Sequence, residues 1–266
     1  GMNSFNYCLA LTSIEYNGEL DGNMVKGCHS LSSIPKIKSL EIGNFNKCKY
    51  LQRIELNDTI EHIPTACFNK CLSLEEIIIP TNVNQFGTNV FESCHELTSV
   101  EFKNSQCSIG EKSFYDCGKL STVTLGNSIT SIGKEAFKNC VSLRKIHLPN
   151  SVKEIEEFAF SGCENLEDVN IGYSLNSIGE AAFENTAIRK LDFTTGEPEI
   201  PEERLGLGKE AFKGCRFLES VKLSRRTSYL AEGLFRDCER LKEFEFAKGL
   251  KGIGESVFRG CKELAD

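Results

Sequence analysis

The 266-residue sequence contains no tryptophan, only four histidines and no apolar run approaching the length of a membrane-spanning helix. Such a helix needs about 20 consecutive apolar residues, so we expect no membrane insertion of this chain. The formal net charge is −7, with 31 basic and 38 acidic residues. Because nucleic-acid-binding proteins typically carry a basic patch or stripe, this balance argues against a nucleic-acid partner.

Motifs for catalysis and cofactor binding are also scarce. There is no C-x-x-C pair, and no glycine-rich phosphate loop follows a predicted strand. His62, Cys67 and Cys71 form the only local group of metal-binding residue types, but Cys71 belongs to the repeat described next. A Cys94–His95 nucleophile would need an exposed thiolate, whereas the repeat predicts that Cys94 is buried. We therefore predict no enzymatic activity, no cofactor and no bound metal.

What the sequence contains instead is a repeat of about 23 residues, each unit marked by a cysteine. The marks are Cys8, Cys28, Cys48, Cys71, Cys94, Cys117, Cys140, Cys163, Cys215, Cys238 and Cys261. Thr186, which lies 23 residues after Cys163 and 29 before Cys215, takes the place of a twelfth mark. A fixed period of this size is typical of a solenoid.

Other residues keep constant distances from each mark. Phe137 lies three residues before Cys140, and phenylalanine occupies this place in eleven of the twelve units. Leu143, Ile146 and Leu148 follow with the spacing of a short, half-buried strand. Because a unit of this size cannot bury its own apolar face, we expect successive units to stack and to pair their strands in parallel.

The segment before each mark predicts a short helix. Lys134–Phe137 reads as one or two helical turns with Ala136 and Cys140 on one face. Glycine precedes this segment at Gly133, and in other units at Gly87, Gly110, Gly179, Gly208 and Gly254. We interpret these glycines as required by a backbone angle that other residues adopt only at a cost.

The pattern I-G-x-x-A-F-x-x-C-x-x-L-x-x-I-x-L-P, read from Ile132 to Pro149, resembles the BspA-like (Treponema pallidum type) class of leucine-rich repeat. The resemblance covers essentially the whole chain. It implies an α/β fold: a right-handed leucine-rich-repeat solenoid of horseshoe shape, with a parallel β-sheet on the concave face and short helices or turns on the convex side. It also implies secreted or cell-surface proteins of bacteria or protozoa that bind host or microbial proteins.

We predict a single leucine-rich-repeat domain over residues 1–266 with about twelve repeats, irregular over residues 1–47. A loop insertion at residues 194–204 contains two prolines and four glutamates, which forbid burial in the core. Insertions in solenoids often mark the binding side, and a tolerated surface bulge is the alternative. The candidate partner-binding residues of this loop are Glu197, Glu199, Glu202 and Arg204.

The cysteine marks predict a column of buried free thiols rather than disulfides. Thirteen cysteines form an odd count, and regular spacing is unlike a disulfide scaffold. Cys67 and Cys107 lie outside the column, and we predict that these two thiols react most readily. Exported proteins usually avoid many free thiols; burial of the column, or an anaerobic source, would reconcile the thiols with export.

The residues on either side of the inward-facing strand position should point outward from the concave sheet. The candidate protein-binding residues of this face are Arg53, Glu55, Glu76, Glu101, Thr124, Lys145, His147, Asp168, Asn170, Lys190, Asp192, Lys222 and Glu245. A rigid sheet with varied side chains is typical of protein recognition. The alternative is a solvated face with no selected partner, since no aromatic anchor stands there.

We therefore predict a non-enzymatic protein-binding or adhesion module, secreted or displayed at the cell surface as the resemblance implies. No signal peptide is present. The alternative is a rigid spacer or a self-associating stalk within a longer surface protein, because neither end carries the polar capping repeat that solenoids normally have. An enzyme would require a catalytic domain outside this chain.

Overall fold

A computed structural model describes residues 4–196 and 203–265, which form a parallel-strand β-solenoid of about eight regular turns. The elements are β1 (Leu20–Asp21), the 3-10 helix η1 (Gly22–Val25), β2 (Ile37–Ser39), β3 (His62–Ile63), β4 (Glu76–Ile79), β5 (Gln85–Phe86), β6 (Ser99–Phe102), β7 (Thr122–Thr124), β8 (Ser131–Ile132), β9 (Lys145–His147), β10 (Glu154–Ile155), β11 (Asp168–Asn170), β12 (Ser177–Ile178), β13 (Lys190–Asp192), β14 (Gly206–Leu207), β15 (Ser220–Lys222), β16 (Tyr229–Leu230), β17 (Glu243–Glu245) and β18 (Gly252–Ile253).

Each regular turn contributes one longer and one shorter strand, and all pairing is parallel. The longer strands form three groups, β4–β6–β7, β9–β11 and β13–β15–β17, and the shorter strands form β3–β5, β8–β10–β12–β14 and β16–β18. The register joins equivalent repeat positions, such as Ile146 with Val169. The predicted parallel pairing is therefore confirmed. The division into twelve repeats and the horseshoe curvature stay predictions, so we name surfaces by their strands.

A column of phenylalanine rings runs through the core. From Phe45 to Phe258, neighbouring ring centroids are 5.0–6.1 Å apart and the ring planes differ by 2–13°. Phe137 is completely buried, as is Leu143, and Ile146 is 2% exposed. The apolar columns seen in the sequence are thus the contacts that hold successive turns together.

The marking cysteines do more than fill space in this core. The Sγ atom of Cys140 donates to the carbonyl of Phe114 in the preceding unit at 3.1 Å, and Cys163 donates to Phe137 in the same way. The Phe114 carbonyl also accepts the amide N–H of Cys117. The thiol therefore supplies a second hydrogen bond to a buried carbonyl, which explains why cysteine recurs where alanine would also fit.

All thirteen cysteines are free thiols, and eleven of them are buried. Cys8 is exposed and Cys261 is half-buried, because they belong to the first and last units described. The prediction that Cys67 and Cys107 are the thiols that react most readily is wrong, since their exposed fractions are 0% and 3%, whereas Cys8 is exposed. Cys67 lies directly before Phe68. Other units bury an alanine or a valine at this position, for example Ala136 before Phe137.

Apart from the 3-10 helix η1 before Cys28, the predicted helical turns before the marks do not form, and the described residues contain no α-helix. Glu135 and Asn139 have φ angles of 54° and 63°, so two left-handed residues four positions apart break any helix. The segment instead forms successive turns whose N–H groups bond the next unit. The amides of Glu135, Phe137 and Asn139 donate to the carbonyls of Glu157, Ala159 and Ser161 at 2.8–3.0 Å.

The interpretation of the glycine column as an angular requirement is also wrong. None of Gly87, Gly110, Gly133, Gly179, Gly208 and Gly254 has a positive φ angle. The reason for glycine is the close approach of two backbones: a Cβ atom on Gly179 would lie 2.6 Å from the carbonyl carbon of Glu156 and the amide nitrogen of Glu157.

We expect Gly179→Ala to lower the free energy of unfolding by about 1–3 kcal/mol, because the added methyl group must push neighbouring backbones apart. Gly118→Ala is the matched control, since its Cβ would meet only Val141 Cγ2 at 4.0 Å. Urea unfolding followed by circular dichroism measures both. Equal losses in the two variants would contradict the close-approach explanation.

Candidate protein-binding face

The longer strands present one continuous outward surface, here called the long-strand face. It comprises the outward side chains of β4, β6, β7, β9, β11, β13, β15 and β17, together with Arg53 and Glu55. The alternation of buried and exposed residues that creates it is visible in β9, where Ile146 is buried between exposed Lys145 and His147. The predicted residues Arg53, Glu55, Glu76, Glu101, Thr124, Lys145, His147, Asp168, Asn170, Lys190, Asp192 and Glu245 are exposed, and Lys222 is half-buried.

Pairing in register brings these side chains into columns across the strands. Lys145 lies opposite Asp168, and His147 lies opposite Asn170. Strand neighbours are about 4.8 Å apart, so each column offers a partner closely spaced groups on a fixed backbone. The amide nitrogen of Asn170 is 3.0 Å from His147 Nδ1 and donates to this atom when the imidazole is neutral.

The charges of the face are partly paired and partly free. Arg53 Nε is 3.8 Å from Glu76 Oε1, and Lys222 Nζ is 3.5 Å from Glu245 Oε2. These pairs are exposed to solvent, so each contributes about 0–1 kcal/mol to stability. Lys145 and Lys190, by contrast, form no ion pair within residues 4–196 and 203–265. Both ammonium groups remain available to a partner.

An apolar cleft interrupts the face beside β4. No backbone hydrogen bond joins residues 53–58 to residues 76–80, both of which lie in the described part of the chain. Ile54, Leu56 and Pro80 line the opening. Ile78 stands at an outward strand position yet is an aliphatic residue, 47% exposed. This residue was missed among the sequence candidates, although an apolar residue at an outward position was the available signal.

The insertion loop is described only at its two ends. Glu197, Glu199 and Glu202 lie outside the described residues, whereas Arg204 is exposed. Arg226 holds the end of the loop against the neighbouring turn. Its guanidinium donates to the backbone carbonyls of Glu203, Tyr173, Leu175 and Arg204 and to Asn176 Oδ1 at 2.7–3.5 Å. This role of Arg226 was not predictable from the sequence, because its partners lie up to 53 residues away.

We expect Arg226→Lys to release the loop and to lower the free energy of unfolding by about 2–3 kcal/mol, because lysine cannot supply this fan of donors. The exposed Lys248→Ala serves as the control. Limited proteolysis should cut the Arg226→Lys variant between residues 194 and 204 faster than the wild type. Unchanged cleavage and stability would show that Arg226 does not anchor the loop.

The residues considered for catalysis or metal binding are not brought together. In the part of the chain that the structure covers, no group of three His, Cys, Asp or Glu side chains could hold a metal ion. Burial raises the pKa of the Cys94 thiol to about 12, which opposes its use as a nucleophile. His95 instead contacts Asp116, with 3.3 Å between Nε2 and Oδ2. Over the same residues, no helix has the length and apolar content to cross a membrane.

Comparison with known proteins supports the repeat assignment. The family model for the BspA type leucine rich repeat region matches residues 1–98, 87–203 and 195–266. A leucine-rich repeat protein from Bacteroides ovatus is 22% identical with a TM-score of 0.67, and the match covers 100% of this chain and 68% of the other. The Treponema pallidum leucine rich repeat protein is 30% identical with a TM-score of 0.57, covering 64% of this chain and 78% of the other. No curated protein matches the sequence significantly.

Proposed function

The chain belongs to the BspA-type leucine-rich-repeat family, and on that premise we propose that it is a non-enzymatic module that binds a protein partner through the long-strand face. The observation that carries this proposal is the array of exposed, chemically varied side chains on strands locked in register. The family match indicates a repeat scaffold and no catalytic family.

The arrangement of charge supports recognition of a partner with acidic groups at the centre of the face. Lys145 and Lys190 lie on β9 and β13 with β11 between them, and neither amine is used in an ion pair among the described residues. Asp168 and Asp192 lie beside them and add acceptors for basic or amide groups. Complementary charges of this kind set orientation and association rate more than affinity.

The cleft at Ile78 supplies an apolar contact surface, which the charged centre of the long-strand face lacks. A partner side chain that enters it would bury the aliphatic surfaces of Ile78 and Leu56 and exclude water. Charged groups of Lys36, Arg53 and Glu76 surround the opening, which matches the usual arrangement of an apolar centre with a polar rim. In this proposal the cleft provides the buried apolar contact that an aromatic side chain provides in many other interfaces.

Secretion or display at the cell surface, and a role in adhesion, are part of the same proposal. Their support is the resemblance of the repeats to the family, which implies a secreted or cell-surface protein. Burial of eleven of the thirteen thiols makes the cysteine content compatible with export, because a buried thiol is protected from oxidation.

Charge reversal tests the face directly. A partner captured with the wild-type protein is purified and measured by biolayer interferometry against Lys145→Glu and Lys190→Glu variants. We expect each reversal to weaken binding about tenfold or more, and Lys153→Glu, an exposed residue preceding β10, to change it less than about twofold. Equal effects of all three reversals would refute binding through the long-strand face.

Self-association, the alternative role as a stalk, stays a prediction. Phe246 and Ile253, near the end of the described residues, are 52% and 50% exposed, which favours self-association. Sedimentation that finds only a monomer at high concentration would contradict this alternative.

A further inference from the structure

A compact arginine–phenylalanine patch lies where the turns lead into the longer strands. Phe217 is 40% exposed. The guanidinium carbons of Arg240 and Arg189 lie over its ring, at 5.2 and 6.0 Å from the ring centroid. Arg216 precedes Phe217 and is also exposed. We refer to Arg189, Arg216, Phe217 and Arg240 as the arginine patch.

The patch exists because one unit is a residue short. In most units the third residue after the mark is the buried leucine, such as Leu166, but after Thr186 the buried Ile188 comes only two residues later. A notch lined by Glu164, Asn185, Gly214, Arg216 and Phe217 lies at this shortened turn. Phe217 and Arg216 therefore border open space.

The positive charge of the patch is only partly neutralised. Arg189 Nε is 3.4 Å from Glu167 Oε2, and Arg216 Nε is 3.9 Å from Glu239 Oε1, which is a long contact. No carboxylate of residues 4–196 or 203–265 forms an ion pair with Arg240. A cluster of three arginines around an exposed ring stands out on a chain whose net charge is −7.

We propose that the arginine patch docks an acidic segment of a protein partner, a second binding surface in addition to the long-strand face. A guanidinium stacked on an aromatic ring keeps its N–H donors free at its edge, where they can bind a carboxylate in bidentate fashion. The ring restricts the motion of Arg189 and Arg240 before binding, so less conformational entropy is lost on docking. Arginine and aromatic residues are also the types that dominate binding energy at protein interfaces.

The adjoining notch adds selectivity for a peptide. Asn185, with a side-chain amide, and Glu164, with a carboxylate, both line it. Amide and carboxylate groups can pair with the backbone of a bound segment while its acidic side chains contact Arg240 and Arg216. The Glu164 carboxylate also disfavours a partner that carries negative charge along its entire length, such as a sulfated glycan.

Fluorescein-labelled hexaglutamate tests the proposal by fluorescence polarisation with the whole chain. Because the protein is acidic overall, attraction of this probe requires a local cationic site. We expect binding at about 0.01 M salt that is lost at about 1 M salt, where the Debye length falls to about 3 Å. Arg240→Glu should weaken binding about tenfold or more, whereas Lys251→Glu, an exposed residue before β18, should change it less than about twofold.

A conservative substitution separates the patch from simple net charge. Arg240→Lys keeps the charge but loses the planar fork and the stacked geometry, so we expect binding about threefold weaker than wild type. Circular dichroism checks that each variant is folded, which is expected because Arg240 is exposed. Equal binding of hexaglutamate by wild type and Arg240→Glu would overturn the proposal, as would preferential binding of a heparin-derived hexasaccharide. Neither result would contradict binding of a protein partner through the long-strand face.

Discussion

Raising the pH from about 8 to about 10 is expected to unfold the protein, with a loss of stability on the order of 10 kcal/mol. Burial raises the pKa of the thiols of Cys48, Cys94, Cys107 and Cys163 to about 12. It raises those of Cys67, Cys71, Cys117 and Cys140 as well.

The direction of the effect follows from proton binding. In the unfolded chain these thiols lose their protons near pH 9, whereas in the folded protein Cys48, Cys94, Cys107 and Cys163 keep them until about pH 12 and the other four thiols also stay protonated above pH 9. Above pH 9 the unfolded state therefore binds fewer protons, so stability falls as pH rises and is unaffected by these thiols below about pH 8. Each thiol contributes about 1.4 kcal/mol per pH unit, and the eight together match the stability of a typical domain, about 5–15 kcal/mol.

Circular dichroism across this pH range, with urea titrations at each pH, measures the slope. The control replaces Cys117, Cys140 and Cys163 by threonine, the residue that naturally occupies the mark at Thr186. Because three titrating groups are removed, the slope should become shallower by about 4 kcal/mol per pH unit. A slope that is unchanged in the triple variant would assign alkaline unfolding to other groups, such as tyrosine or lysine.

Phe137→Ala is expected to lower the free energy of unfolding by about 3–5 kcal/mol. The ring is completely buried and stacks on Phe114 and Phe160 at centroid distances of 5.0 and 5.2 Å. Its removal therefore opens a cavity at the contact between three successive units. Because each unit of a solenoid contacts only its neighbours, hydrogen exchange should accelerate most in the turns around residues 114–160.

The exposed Phe246→Ala provides the control, because this ring is 52% exposed and its loss should change stability by less than about 1 kcal/mol. Urea unfolding gives both values. Similar losses for the two variants would mean that the phenylalanine column does not join the units.

The repeat itself made most of the fold predictable. Residues such as Ile146 and Val169 recur at one spacing, so their pairing in parallel register needed no information beyond the period. The alternation around Ile146 likewise identified Lys145 and His147 as outward-facing. Periodic signals of this kind report which side chains are buried, and they therefore predicted the long-strand face.

Features that depend on backbone geometry between units were not predictable in this way. Left-handed angles at Glu135, Phe158 and Ala181 occur in residues that seldom adopt them, and tertiary hydrogen bonds between turns override local helix propensity there. The hydrogen bonds of the marking cysteines were not predictable either. Each thiol donates to a backbone carbonyl in the preceding unit, and the local sequence does not indicate which carbonyl lies within reach.

The arginine patch and Arg226 were missed for a related reason. Phe217 lies in a turn, at a position where the repeat has no regular aromatic residue. Arg189 and Arg240 contact its ring from two other units. Arg226 contacts the carbonyls of Tyr173 and Leu175, which lie 53 and 51 residues earlier in the sequence. Surface contacts formed where the sequence departs from the repeat therefore cannot be predicted from the repeat pattern.

Mass-spectrometric thiol labelling of the native protein tests most directly whether the repeat register places the marks inside and the long-strand face outside. The register predicts rapid labelling of Cys8, slower labelling of Cys261, and labelling of the eleven buried thiols only after denaturation. A Thr124→Cys variant should add one thiol that reacts as fast as Cys8, since Thr124 is exposed on β7. Native labelling of Cys117 or Cys140, or protection of the thiol introduced at position 124, would contradict the register and with it the long-strand face.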